Sequence, residues 1–324
     1  MQNAESLLNI YRERGKRGLP LERVYRQLFN PELFLQAYGK IYRNAGAMTK
    51  GSTDETVDGM SLGRIRRIIT LLRQEKYRWT PVRRTEIPKA KGGTRPLGIP
   101  SWSDKLLQEV LRQLLEAYFE PRFSNHSHGF RPQRGCHTAL TEIQKTWKGT
   151  VWFIEGDISK CFDSFDHDVL LSILRRKIKD ERLIRLIGHL LKAGYMEDWR
   201  FNETLSGTPQ GGIISPLLSN IYLSEMDDFA ENTLIPAYTR GSLRRPCAEY
   251  VSFNYRIRKA KGRGDMKAVA ALQRLRRRLP SRDPFDSTYR RLRYVRYADD
   301  FLLGFVGPKK EAEEIRDRLS VFLG

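Results

Sequence analysis

Hydrophobic positions recur at helical spacing over much of the chain, most clearly across residues 103–120. There Leu106, Leu107, Val110, Leu111, Leu114, Leu115, Tyr118 and Phe119 form one apolar face before Pro121 stops it. That helix is core and carries no chemistry. Residues 21–44 predict two helices punctuated at Asn30-Pro31, with Asn30 as cap, Pro31 at the first helical position, and Leu33, Phe34, Ala37, Tyr38 and Ile41 at helical spacing. Residues 45–60, rich in Gly, Thr, Ser and Asp, predict a loop, and residues 62–77 a basic amphipathic helix. Val169, Leu170, Ile173, Leu174 and Ile178 mark a further helix that Asp166 or Ser164 can cap. In residues 206–227 a Gly-rich loop precedes a helix with Ser215 as cap, Pro216 at its start, and Leu217, Leu218, Ile221 and Tyr222 inward.

Strand patterns are fewer. Residues 85–100 predict a hairpin turning at Gly92-Gly93. Lys89 and Arg95 on its arms either protect an exposed edge or, at the tip of a mobile hairpin, close over a triphosphate. Residues 151–158, Val-Trp-Phe-Ile-Glu-Gly-Asp-Ile, predict a buried strand ending at Asp157. The run from Tyr294 to Phe305 predicts two short strands with Asp299 and Asp300 at or beside their turn. Adjacent carboxylates repel unless one is protonated or a cation sits between them. Two Mg²⁺ ions about 3.5–4 Å apart are how polymerases clamp an in-line phosphoryl displacement, and such a site needs a third carboxylate. Asp157, at the tip of a strand read as central to its sheet, is the candidate. Asp163, Asp166 and Asp168 lie nearby, the last two suited to caps and turns.

Composition narrows the class. The chain has 324 residues with 40% hydrophobic and 30% charged, enough for two or three subdomains with real cores. Lys plus Arg number 58 against 38 acids, a net charge of +20 that attracts a polyanion; no apolar run is long enough to span a bilayer, so nucleic acid is favoured over membrane. The excess is uneven. Residues 240–296 hold 18 Lys or Arg against four acids and are broken by Gly262, Gly264, Pro280 and Pro284. They read as a basic insertion whose helix, residues 266–279, shows Arg274, Arg277 and Arg278 on one face for phosphates. Cys136, Cys161 and Cys247 are odd in number and widely spaced, which predicts neither a disulfide framework nor a zinc site and fits a reducing compartment. No acid or thiol pattern completes a metal set for His126, His128 and His137. Phe130, Arg131 and Arg134 look more like a surface for a nucleic-acid strand. Gly211-Gly212 is either a tight connection or a place where the backbone approaches something large and flat.

Three stretches then stand in fixed order: EGDISKCFD, SGTPQGGIISPLLSNIYL and YVRYADDFLLGF. Together they resemble the reverse transcriptase domain of group II intron-encoded proteins, and IPKAKGGTRPLGIP and SHGFRPQRGCHTAL resemble that family's fingers motifs. The Arg-rich insertion ending in RRLRYVRYADDFLLG resembles its mitochondrial-like branch. The resemblance implies an α+β fold, the fingers and palm of a right-hand polymerase with an antiparallel palm sheet backed by helices. It divides the chain into an N-terminal helical extension and loop (1–60), fingers (61–150), palm (151–235 and 294–324) and basic insertion (236–293). It implies RNA-directed DNA synthesis with two Mg²⁺ ions at Asp157, Asp299 and Asp300, Ile158 completing the metal set. Lys89 and Arg95 match the triphosphate clamp, Phe162 the deoxynucleotide gate and Gln210 a contact to the incoming nucleotide, while Phe130 and Arg131 match residues that cradle the template base. The implied partners are group II intron RNA, template RNA with a DNA primer, and dNTPs, with room for a homodimer and no membrane; the implied compartment is the bacterial cytoplasm or an organelle matrix. The chain stops before the family's lysine-bearing palm motif and its thumb, so the thumb is expected to be absent. Two other classes remain. An RNA-binding splicing cofactor would tolerate loss of the acids, and an RNA-dependent RNA polymerase would not want an aromatic gate at Phe162.

Overall fold

The computed structural model describes residues 3–323 apart from 45, 89–91, 159–163, 198–199, 205, 208–210 and 285. The chain divides into two compact units, one made of Met1–Ala139, Asp157–Asp227 and Arg296–Asp300, the other of Leu140–Gly156, Asp228–Val295 and Phe301–Gly324. Helices and sheets are mixed throughout. No helix among the described residues is long and apolar enough to cross a membrane.

The first unit is built on helices. The N-terminal residues, where the spacing of apolar positions predicts no element, form α1 (Ala4–Lys16), capped by the Asn3 side chain. α2 (Pro31–Ile41) starts where Asn30 accepts from the Glu32 amide, with Pro31 supplying the pre-set φ of a first turn. The predicted helix before it is instead a 3₁₀ segment, Tyr25–Phe29. α4 (Trp102–Phe119), capped by Ser101, follows its predicted span, whereas α3 (Leu62–Arg73), capped by Ser61, ends four residues before the predicted 77. α5 (Cys136–Thr146) has only its first turn in this unit, and α6 (His167–Lys177) is capped by Asp166, which accepts from the Asp168 and Val169 amides. α7 (Glu181–Leu191) and α8 (Ser215–Phe229) complete the set, α8 running on through a π-helical stretch, Ala230–Leu234. Leu106, Leu107, Val110, Leu111, Leu114 and Leu115 of α4 are fully buried in a core shared with α1, α2, α3, α6, α7 and α8.

Among the described residues three sheets accompany the helices. β1 (Leu21–Glu22) pairs in parallel with β6 (Ile178–Lys179). β2 (Val82–Pro88) and β3 (Thr94–Ile99) form the predicted antiparallel hairpin, in register Arg83↔Ile99 through Pro88↔Thr94, and β2 also pairs with β7 (Tyr195–Glu197), which pairs with β8 (Arg200–Asn202). The third sheet has the order β4-β9-β10-β5, from β4 (Ser127–His128), β5 (Trp152–Asp157), β9 (Arg291–Tyr297) and β10 (Asp300–Val306).

β5 departs from expectation. It is an edge strand, not a central one, and it is not buried: Phe153, Glu155 and Asp157 are exposed while Trp152, Ile154 and Gly156 are half-buried. An edge strand with one open face keeps alternate side chains in water however apolar its sequence. The Val151 amide donates to the Phe305 carbonyl at one end, and Gly156 lies under Phe301 at the other, so β5 and β10 run antiparallel. A Cβ on Gly156 would stand 2.1 Å from the Phe301 ring, so the ring occupies the space a side chain would need.

The second unit also holds the Arg-rich segment read from the sequence as a basic insertion. Two helices, α9 (Ala248–Gly262) and α10 (Met266–Arg276), pack as a hairpin whose turn has Gly264 at φ +73° and Asp265 capping α10. The base of the insertion is closed by reciprocal main-chain bonds between Arg240 and Arg290, at 3.0 and 2.9 Å. Asp286 accepts from the Arg245 amide and from the Thr288 hydroxyl and amide, bonds that hold its carboxyl down at about 2. α11 (Lys309–Leu323) ends the described chain.

Gly156→Ala is expected to destabilise the protein by ~1–3 kcal/mol, the usual cost of overpacking, although alanine is not disfavoured on backbone grounds. Urea unfolding of Gly156→Ala, Phe301→Ala and the double variant would show a double variant better than the sum of the singles, because each change makes room for the other. Strict additivity would show that the ring and the glycine do not compete for one space.

Candidate active site

The hairpin β9-β10 carries the acids. Asp299 lies in the turn and Asp300 opens β10. The turn is held in an unusual shape: Ala298 has φ +55°, a left-handed conformation that costs a non-glycine residue roughly 1 kcal/mol or more. The Ala298 amide donates to the His128 carbonyl at 2.9 Å, and its carbonyl accepts from Arg296 Nη1 at 2.7 Å. Gly129 backs against the turn. A Cβ there would stand 2.8 Å from the Ala298 nitrogen, and Gly129 itself has φ +84°, so both space and backbone require glycine.

Arg296 is completely buried. Its Nε and Nη2 donate to the two oxygens of Asp227 at 2.8 and 2.7 Å, its Nη1 to Asn220 Oδ1 at 3.0 Å and to the Ala298 carbonyl, and its Nη2 also to Ser127 Oγ at 2.7 Å. All five guanidinium protons are thus used, the condition under which a buried charge is tolerated. Asn220 in turn donates to the Gly129 carbonyl at 3.1 Å.

Asp157, the last residue of β5, joins the two turn acids closely enough to be felt. Burial, then the charges of Asp299 and Asp157, raise the Asp300 carboxyl above the ordinary carboxylate range. Among the described residues no group of three His, Cys, Asp or Glu side chains is arranged to hold a metal ion.

Residues 87–242 match the family model described as "Reverse transcriptase (RNA-dependent DNA polymerase)". Over 309 residues the chain is 44% identical to the group II intron-encoded protein LtrA of Lactococcus lactis subsp. cremoris, covering 93% of this chain and 51% of that protein. It is 44% identical over 297 residues to an uncharacterized 91 kDa protein in a cob intron of Schizosaccharomyces pombe (91% of this chain, 37% of that protein), and 33% identical over 309 residues to protein YkfC of Escherichia coli K12 (93% and 74%). The chain belongs to the group II intron-encoded reverse transcriptases. It spans about half the length of LtrA.

Of the residues that match this reverse transcriptase family's motifs, Asp157, Asp299 and Asp300 are brought together. Ile158 is half-buried against the small cluster of Phe165 and Leu223. Arg95 is exposed on β3, opposite Ile87. Lys89, Phe162 and Gln210 lie outside the described residues. Gly211, beside Gln210, has φ +101° and approaches β3 so closely that a Cβ would stand 2.4 Å from the Gly98 carbonyl, which favours the tight-connection reading of this loop. Phe130 is 56% exposed with φ +56°.

Arg131 does not share that exposure. Its guanidinium is buried, forked onto Glu120 at 2.9–3.2 Å and donating to the Ser124 and Ser127 carbonyls at 2.6 Å each. It therefore holds the loop that displays Phe130 and is not itself presented to a template. His128 is likewise occupied, its Nδ1 lying 2.8 Å from Thr138 Oγ1.

Sequence reasoning passed over Arg296, Asp227, Asn220 and Ser127. A signal was available: Arg296 shares the inward strand register of Leu292 and Tyr294, and Asn220 and Asp227 lie seven apart, on one face of α8.

Because Asp300 has a raised carboxyl pKa, its ionised form is penalised in the folded state. The penalty is fully present above that raised pKa and disappears as pH falls below the unfolded value of about 4. Metal-free Asp300→Asn should therefore melt slightly higher than wild type at pH 7, the gap closing toward pH 4. A thermal-melting series showing no gap, or a gap that grows on acidification, would contradict the penalty that burial and the neighbouring carboxylates place on ionised Asp300.

Proposed function

We propose that the chain is the catalytic part of an RNA-directed DNA polymerase that copies intron RNA into DNA and also binds that RNA to assist splicing and intron mobility. The observation that carries the reading is the gathering of Asp157, Asp299 and Asp300, two from a hairpin turn and one from a strand end, with an electrostatic burden that falls on Asp300. Family membership supports the rest. In this reading residues 61–150 are fingers, residues 151–235 and 294–324 palm, and residues 236–293 an RNA-binding insertion.

The donor set suits Mg²⁺. Hard carboxylate oxygens are the ligands that ion prefers, and mutual repulsion among them is what a divalent cation relieves. Asp157, Asp299 and Asp300 would hold the metal, with Ile158 contributing through its main chain. Bound there, two Mg²⁺ ions supply activation of a primer 3′-hydroxyl and charge neutralisation on the triphosphate. Arg95 on β3, together with Lys89, draws in the triphosphate. Gln210 meets the incoming nucleotide, Phe162 lies under its sugar and excludes a 2′-hydroxyl, and Phe130 offers a flat surface to a template base. Such a polymerase works where its RNA and dNTPs are, in a bacterial cytoplasm or an organelle matrix.

Asp299→Ala should reduce single-nucleotide addition to background while leaving intron RNA binding nearly intact. Addition at the wild-type rate by that variant would overturn the assignment.

The helix predicted over 266–279 ends at Arg276, so Arg274 is exposed on α10 and Arg277 and Arg278 are exposed just beyond its end, whereas Arg276 is engaged with Asn254 and lies over the Tyr250 ring. Neutralising the three exposed arginines should flatten the salt dependence of RNA binding, by up to ~0.7–0.9 in log–log slope for each RNA phosphate that an arginine no longer neutralises. An unchanged slope returns that face to bulk solvent.

A further inference from the structure

The buried arginine behind the acids has no part in the chemistry just described, yet its bonds end on the turn that carries Asp299. The Ala298 carbonyl belongs to the same rigid peptide plane as the Asp299 nitrogen, so whatever orients that carbonyl also orients the backbone from which the Asp299 side chain springs. Arg296 Nη1 holds it at 2.7 Å. The other side of the turn is held by the Ala298 amide on the His128 carbonyl. Between these two bonds a left-handed alanine, with no side-chain polar group of its own, is kept in a conformation it does not prefer.

A guanidinium is a planar fork, and one that has spent five protons on four residues has a single position that satisfies them all. Three of those residues lie outside the turn: Asp227 and Asn220 on α8, and Ser127 on β4. Asn220 adds a bond to the Gly129 carbonyl, and Gly129 is the residue pressed against Ala298. The turn is therefore fixed by reference to a helix and to a second strand, not by its own hairpin alone.

We propose that Arg296, braced by Asn220 and Ser127, is a positioning residue that sets the orientation of Asp299 for metal binding and nucleotidyl transfer. The inference rests on the polymerase reading of this site but makes a separate claim, that the ion pair does more than stabilise the fold.

The test replaces both charges together, as Arg296→Met with Asp227→Leu. A buried ion pair exchanged for apolar side chains of similar volume often leaves stability unchanged or improved, so the core is not left with an orphan ion. Melting temperature, Mn²⁺ binding by electron paramagnetic resonance, and single-deoxynucleotide addition with its template KM are measured beside wild type and Asp299→Ala. The expected double variant melts close to wild type, binds Mn²⁺ several-fold more weakly, and adds the nucleotide about a hundredfold more slowly at nearly unchanged template KM, the loss that ~1 Å of misplacement brings. Folded protein with wild-type rate and Mn²⁺ affinity overturns the proposal. If the double variant does not fold, Asn220→Ala and Ser127→Ala, which keep the Arg296 to Asp227 pair, take its place, and wild-type Mn²⁺ affinity and rate in both is the overturning result. The two readings separate in the metal arm. Mn²⁺ binding that is lost in Asp299→Ala and weakened in the double variant supports positioning even where wild type adds no nucleotide, a result that counts against polymerase activity. Mn²⁺ binding indifferent to Asp299→Ala removes both.

Discussion

A guanidinium with no exposure to water is the constraint on which this molecule's centre depends. Moving such an ion out of water costs several kcal/mol even after the protein relaxes, and the cost is recovered only where every proton finds an acceptor. Arg296 meets that condition with one carboxylate, one amide oxygen, one hydroxyl and one carbonyl. The arrangement is all-or-none in character: deleting one member of such a pair typically costs ~3–5 kcal/mol because the other is left buried and unpaired. Helix α8, strand β4 and the β9-β10 turn consequently share one geometry, and none of them can shift without the others.

The acids in front of this node show the opposite design. Asp300 bears the cost of burial and of two neighbouring carboxylates, and Ala298 sits in a conformation alanine avoids. Both are costs carried at the site and offset by the large helical core elsewhere in the first unit, the usual relation between a stable scaffold and a strained functional centre. Glycines make the close approaches possible. Gly129 at the turn, Gly156 under Phe301 and Gly211 against β3 each stand where a single methyl group would collide with a neighbour.

Much of this was legible in the sequence because it is local. Caps at Asn30 and Asp166, the face of α4, the Gly92-Gly93 hairpin and the pairing of Asp299 with Asp300 at a turn all follow from spacing and residue type. What was not legible depends on neighbours far along the chain. The exposure of β5 follows from its place at the sheet edge, which its apolar composition conceals. The inward role of Arg131 depends on Glu120 and two carbonyls, and nothing in its own stretch distinguishes a guanidinium turned to RNA from one turned to a carboxylate. The Arg296 network joins residues 127, 220, 227 and 298, and a lone arginine in an apolar strand gives the register but not the partners. The first helix, α1, escaped because its apolar positions are few and diluted by charge.

The closure of the basic insertion has a consequence for how such a chain can change. Arg240 and Arg290 face each other through two main-chain bonds, so the segment between them begins and ends at essentially one place. The entropy of closing the intervening loop rises only with the logarithm of its length, about 0.6 kcal/mol for each doubling. A segment so closed is a cassette. It can lengthen, shorten or exchange its two helices at little thermodynamic cost, while β9 continues to deliver Arg296 and the turn with its two aspartates to the same position.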